Sequence, residues 1–157
     1  MSPPSPTLPN PNALSRTLRD LFGKAVGVKA GTALAASVKP FVAVYEDDDK
    51  EASCVCLCEV ALAAAFGAAL ALMPAGLAAE AVKTGKLPPE MLENAGEVLN
   101  IMASLFGAKH VRYRGLFQPG AAAPPPVVAL IGKPGARLDL EVAVTGYPGG
   151  RLALLVR

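Results

Sequence analysis

The twenty residues from Val60 to Ala79 carry no charge, and what they become decides what kind of protein this chain is. A charge-free apolar run of that length can cross a bilayer as a helix. Most of its apolarity, however, is alanine, which drives insertion weakly compared with Leu, Ile or Phe. Gly67, Pro74 and Gly76 interrupt it, and proline inside a helix removes a backbone hydrogen bond and clashes with the preceding turn. The run therefore reads as a buried helix from Glu59 to about Met73, with a short continuation over Leu77–Lys83. A membrane-associated protein anchored by Val60–Ala79 is the alternative from another class.

A helix buried on all sides needs a sizeable core around it. The 157 residues suit one domain. Hydrophobic residues make up 52% of the chain and charged residues 18%, which excludes an intrinsically disordered protein. Fifteen Lys and Arg against thirteen Asp and Glu leave a net charge of +2. That balance offers no basic face for nucleic acid. With 5% aromatics and no Trp, platforms for stacking bases are also scarce. The chain opens on Met1-Ser2-Pro3-Pro4-Ser5-Pro6, without a basic or an apolar signal region. Residues 1–12 read as a disordered proline-rich tail and 13–157 as the domain. An odd number of cysteines, three, fits a reducing compartment, so the expected location is the cytoplasm, with neither a membrane nor a nucleic acid as partner.

Ala13–Ala25 has the spacing of a helix, with Leu14, Leu18, Leu21 and Phe22 on one face and Asn12 as N-cap. Val28–Leu34 is a weak strand. Phe41–Tyr45 and Ala52–Cys58 are better ones, joined by the polar turn Asp47-Asp48-Asp49-Lys50 into a hairpin. After the alanine-rich helix, Pro88-Pro89-Glu90 opens a second long helix running to about Phe106. Lys109–Phe117, Arg137–Thr145 and Leu152–Val156 read as strands, and the short apolar run Val127–Ile131 stands among them as a candidate fourth. Helix, three strands, two helices and three or four strands make an α+β fold. The expected architecture is an antiparallel sheet of about six strands, with one leading helix and two central helices packed on it.

The helix from Pro89 carries the most chemistry. Leu92, Ala95, Leu99, Met102 and Phe106, joined by Val98 and Leu105, form a stripe at helical spacing that faces a core. Glu93, Glu97 and Asn100 fall on the opposite side, with Ser104 beyond. A solvated helix face would look similar. Two details set it apart: Asn competes with the helix for backbone hydrogen bonds, and glutamates four residues apart repel.

Gly96-Glu97-Val98-Leu99-Asn100, with Glu93 four residues before Glu97, resembles the signature of the CheC/CheX chemotaxis phosphatases. That signature is Asp or Ser, three residues, Glu, two residues and Asn on an exposed helix. Glu93 stands where Asp or Ser is usual. One motif copy, the chain length and the order of elements over residues 13–157 are more similar to CheX than to CheC, which typically has two copies. The resemblance implies dephosphorylation of an aspartyl-phosphate on a CheY-type response regulator in two-component signalling. It implies Asn100 and Glu97 as the catalytic pair, Asn100 orienting the attacking water and Glu97 pairing with a regulator lysine, with Glu93 in support. It implies no cofactor in this chain, the magnesium being supplied by the regulator, and a homodimer formed through the sheets. A catalytically silent module of the same fold, binding or scaffolding in signalling or motility, is the second reading.

Other residues have simpler readings. Cys54, Cys56 and Cys58 alternate along a strand and point to one side. They read as small core residues rather than a thiolate metal or redox site, because three ligands on one strand converge poorly. Glu46-Asp47-Asp48-Asp49 lacks the spacing of a calcium loop. Arg112 and Arg114 share a strand face that suits an acidic partner or ordinary surface charge. His110 follows a helix end, and Gly132-Lys133-Pro134-Gly135 is a turn without phosphate-loop spacing.

Overall fold

The computed structural model describes residues 6–35, 37–107 and 111–157. His110 and the first five residues lie outside them.

Helix α1 spans Pro11–Phe22, two to three residues earlier at each end than its spacing suggests. Asn10, not Asn12, is the cap, and its side chain accepts the Asn12 N–H at 2.8 Å. Proline fits the first helical position because no helical N–H is needed there. Ahead of it, the Thr7 N–H donates to the Phe106 carbonyl at 2.7 Å and Pro9 is buried, so the segment before α1 lies against the end of the long helix.

Among the described residues six strands form one antiparallel sheet. They are β1 (Val26–Ala30), β2 (Phe41–Glu46), β3 (Ala52–Cys58), β4 (Arg112–Phe117), β5 (Ala136–Val144) and β6 (Gly150–Val156). Their order across the sheet is β1-β5-β6-β3-β2-β4, every neighbouring pair antiparallel. The central strand β3 is buried along both faces. Cys54, Cys56 and Cys58 join the main core with Phe41, Tyr45, Leu152 and Leu154, whereas Val55 and Leu57 join a smaller core on the other face. Both are single-face sets, as the period of a strand requires. Burial pushes the Cys54 thiol up to about 12 and the other two upward as well. The three cysteines are apolar filling.

Helices α1, α2 (Val60–Leu70) and α4 (Pro89–Ile101) cover the main face, with α3 (Ala75–Thr84) packed outside α2. The charge-free run is thus split in two at Ala71–Pro74, where Leu72 takes a positive φ of 54°. No helix among the described residues is long and apolar enough to cross a membrane. Among the described residues three α-helices, and a 3₁₀ helix continuing the last, lie between β3 and β4, because the break at Pro74 starts a separate helix rather than extending α2.

Val127–Ile131 is not a strand. It belongs to α5, Pro125–Gly132, whose Val127 and Leu130 cover Val55, Ala153 and Leu155 on the outer face of the sheet. A five-residue apolar run fits either a buried strand or one face of a short helix. Pro125 and Pro126 at its start tip the balance, since they suit a first helical turn and cannot donate to a sheet.

Candidate functional site: an exposed ridge on the long helix

The ridge is held by what lies beneath it. Met91, Ala95, Val98 and Leu99 of α4 are buried, and the 3₁₀ helix Met102–Phe106 that continues it buries Met102, Ala103 and Phe106. Met91 occupies a deeper position than the expected Leu92, which is half-buried at the edge of the ridge. The register is set by α2. At Gly67 the two helices touch backbone to backbone, and a Cβ there would overlap the Met91 carbonyl and lie 2.8 Å from Met91 Cγ. One turn along, Asn94 Nδ2 donates to the Gly67 carbonyl at 3.3 Å. These contacts fix how far α4 rotates about its axis, and so which side chains face solvent.

Glu93, Glu97 and Asn100 face it together. All three are exposed, with Ser104 exposed beyond them. No other described residue makes an ion pair or hydrogen bond with any of the three side chains. Helix α4 carries Glu90, Glu93 and Glu97 and no Lys or Arg, so the ridge presents negative charge ending in a neutral carboxamide. A carboxamide both accepts and donates hydrogen bonds, so it can hold a water without ionising.

Beside the ridge runs a shallow groove of about 300 Å³, lined by Leu92, Glu93, Gly96, Glu97, Tyr113 and Leu116 among others. Tyr113 and Leu116 come from β4, which lies at one edge of the sheet. The Tyr113 hydroxyl sits 3.3 Å from where a Gly96 Cβ would be, so glycine in the motif leaves room for the phenol. Burial raises the Tyr113 pKa, and the nearby Glu97 charge raises it further. The Tyr113 ring packs at 5.8 Å on Tyr45, which packs at 5.0 Å on Phe106. Tyr45 is buried, and its hydroxyl donates to the Leu99 carbonyl at 2.7 Å. Neither tyrosine is legible as part of the site from sequence, because both meet α4 from strands distant in the chain. The available signal was alternation, which places Tyr113 opposite Arg112 and Arg114.

The remaining candidates go elsewhere. Arg112 and Arg114 pair with Asp48 and Glu46 at 3.8 and 3.6 Å. The acidic turn is self-satisfied: Asp47 accepts the Asp49 and Glu51 N–H groups and pairs with Arg157 at 3.0 Å. The Arg114–Glu46 pair, with Arg157 and Glu51 paired at 3.4 Å, rims a larger cavity of about 730 Å³ between α5 and the outer sheet face, where each arginine already has a carboxylate.

No family model matches this chain, and no curated protein matches it. Solved structures do. A chain of the FliG–FliM complex from H. pylori is 9% identical and superposes with a TM-score of 0.53, covering 93% of this chain and 85% of that one. The FliM middle domain from Vibrio alginolyticus is 12% identical with a TM-score of 0.52, covering 93% and 87%. The chain has the fold of the FliM middle domain. CheX and CheC-like structures are also among the matches. One is a chain of the CheX–CheY–BeF3–Mg2+ complex from Borrelia burgdorferi, 13% identical, with a TM-score of 0.45 and coverage of 93% and 94%.

Proposed function

We propose that this chain is a CheX-like phosphatase that dephosphorylates the aspartyl-phosphate of a CheY-type response regulator. The observation that carries the reading is the ridge itself. Glu97 and Asn100 are exposed one turn apart on a helix locked from below, in the motif Gly96-Glu97-Val98-Leu99-Asn100. Glu97 pairs with a lysine of the regulator and draws it from the phosphoryl group. Asn100 enters the regulator's site and aligns a water with the phosphorus. The water oxygen bonds to phosphorus as the bond to the aspartate oxygen breaks, so inorganic phosphate leaves and the carboxylate is restored. Such a transfer needs positioning and charge neutralisation more than covalent help. The magnesium that neutralises charge belongs to the regulator's own acidic pocket, so this chain supplies no metal ligand. Glu93 supports docking.

A second reading follows from the FliM likeness, one matching chain being from a FliG–FliM complex: a binding module in motility without catalysis. The half-life of a phosphorylated regulator, with the protein and with buffer alone, separates the two. Shortening by wild type supports the phosphatase. No shortening with any response regulator of the organism leaves the binding module.

A further inference from the structure

We infer that Tyr45 is a positioning residue for Asn100, an inference that rests on the phosphatase reading. The Leu99 carbonyl that accepts the Tyr45 hydroxyl at 2.7 Å belongs to the same peptide plane as the Asn100 nitrogen. Fixing that plane fixes the direction in which Asn100 leaves the backbone. The spot is one where a helix alone holds its carbonyls loosely. Helix α4 ends at Ile101, the chain tightens into the 3₁₀ helix, and the Met102 N–H is shared between the Val98 and Asn100 carbonyls. At such junctions the regular four-residue ladder gives way and outside partners complete it.

The other end of the contact is held by its neighbours. Strand β2 alternates regularly, so Tyr45 follows Phe41 and Ala43 onto the core face. Both of its neighbours carry an extra residue beside it: Arg114 of β4, between the partners of Val44 and Tyr45, and Ser53 of β3, between the partners of Tyr45 and Glu46. A bulge re-aims the side chains of its own strand, and the one at Arg114 puts Tyr113 and Leu116 on the same face as Tyr45. The ring is then gripped between Phe106 and Tyr113. Burial keeps the phenol protonated and therefore a donor. Tyr113, in turn, lines the groove beside Glu97, so one aromatic column links the groove wall to the backbone of the water-orienting residue.

The test uses Tyr45→Phe, which keeps the ring and deletes only the hydroxyl. Tyr147→Phe is the matched control: it deletes a hydroxyl that donates to the Met73 carbonyl at 2.6 Å, away from the ridge. With the phosphorylated regulator as substrate, Tyr45→Phe is expected to lower kcat by about tenfold, since displacements below an ångström cost less than the hundredfold of a full one. KM should stay within about twofold, and Tyr147→Phe should keep the wild-type kcat. A kcat for Tyr45→Phe equal to that of Tyr147→Phe overturns the inference. Activity-independent NMR keeps the two readings separable. Tyr45→Phe should shift the Leu99 carbonyl and Asn100 side-chain amide resonances, whereas Tyr147→Phe should leave them in place. Unmoved resonances refute the positioning role even if the phosphatase is active. Inactive wild-type protein with shifted resonances refutes the phosphatase and leaves the contact established.

Discussion

Helices α2 and α4 pack on each other and use their side chains in opposite ways. Leu62 through Ala69 of α2 are buried without a gap, so that helix has no outer face at all. Helix α4 buries Met91, Ala95, Val98 and Leu99 and leaves Glu93, Glu97 and Asn100 in solvent. The two glycines make the same contrast. Gly67 of α2 meets the Met91 backbone, while Gly96 of α4 meets only the far end of the Tyr113 side chain. One helix is therefore a rigid stop that sets the other's rotation, and the other is free to vary on its outer side. The candidate site can sit on α4 because α2 gives up its own surface to hold that helix.

The strongest way to break this arrangement is at Gly67. Alanine there puts a methyl group into the Met91 carbonyl, and neither backbone can step aside cheaply. Overpacking of this kind costs about 1–3 kcal/mol, and the upper end is expected, even after the roughly 1 kcal/mol that alanine gains over glycine in a helix. Urea unfolding of Gly67→Ala should show a loss of about 2–3 kcal/mol, and any remaining activity should fall because α4 is displaced. A stability equal to wild type would mean that the helices do not touch there.

Asn100→Ala should have the next largest effect, and on rate rather than stability. A misplaced nucleophile costs on the order of a hundredfold, while exposed helix positions usually shift stability by about 0.5 kcal/mol or less. The half-life of the phosphorylated regulator measures the first and thermal unfolding the second. If Asn100→Ala and wild type shorten that half-life equally, Asn100 does not hold the water.

How much of this could be read from the chain follows the same division. The ridge was legible, because helical periodicity alone puts Glu93, Glu97 and Asn100 opposite Ala95 and Leu99. The sheet was legible too, since strands that alternate, such as β5, or that end on Pro and Gly, declare themselves. The contacts that lock the ridge were not. Gly67 against Met91, and Tyr45 against Leu99, join residues 24 and 54 positions apart, and no local pattern encodes which glycine meets a backbone and which meets solvent. Helix α5 was missed for another reason: five apolar residues carry no period long enough to choose between strand and helix.

Gly96→Ala sharpens the contrast with Gly67. The methyl group would sit 3.3 Å from the Tyr113 hydroxyl, which can give way at the groove. The helix gain of about 1 kcal/mol should then offset the crowding, leaving stability within about 1 kcal/mol of wild type by urea unfolding. A loss as large as that of Gly67→Ala would show that Tyr113 is as immovable as a backbone, and would make the groove wall part of the rigid core.

The smallest effect is the most discriminating. Glu93 and Glu97 stand four residues apart on an exposed helix face with no basic neighbour on α4, and like charges so placed destabilise a helix by about 0.2–0.5 kcal/mol. Alanine is also the better helix former. Glu93→Ala and Glu97→Ala should therefore each raise stability by a few tenths of a kcal/mol, resolved by paired urea titrations. A ridge that served only solvation would have no reason to keep two repelling glutamates. If the ridge is a docking surface, Glu97→Ala should gain stability and lose regulator affinity together, with Glu93→Ala losing less affinity. Affinity measured against a phosphoryl-mimicking regulator reads the second half of that pair. Should both variants lose about 1 kcal/mol or more of stability instead, the glutamates hold the helix in place, and the division of labour between α2 and α4 is wrong.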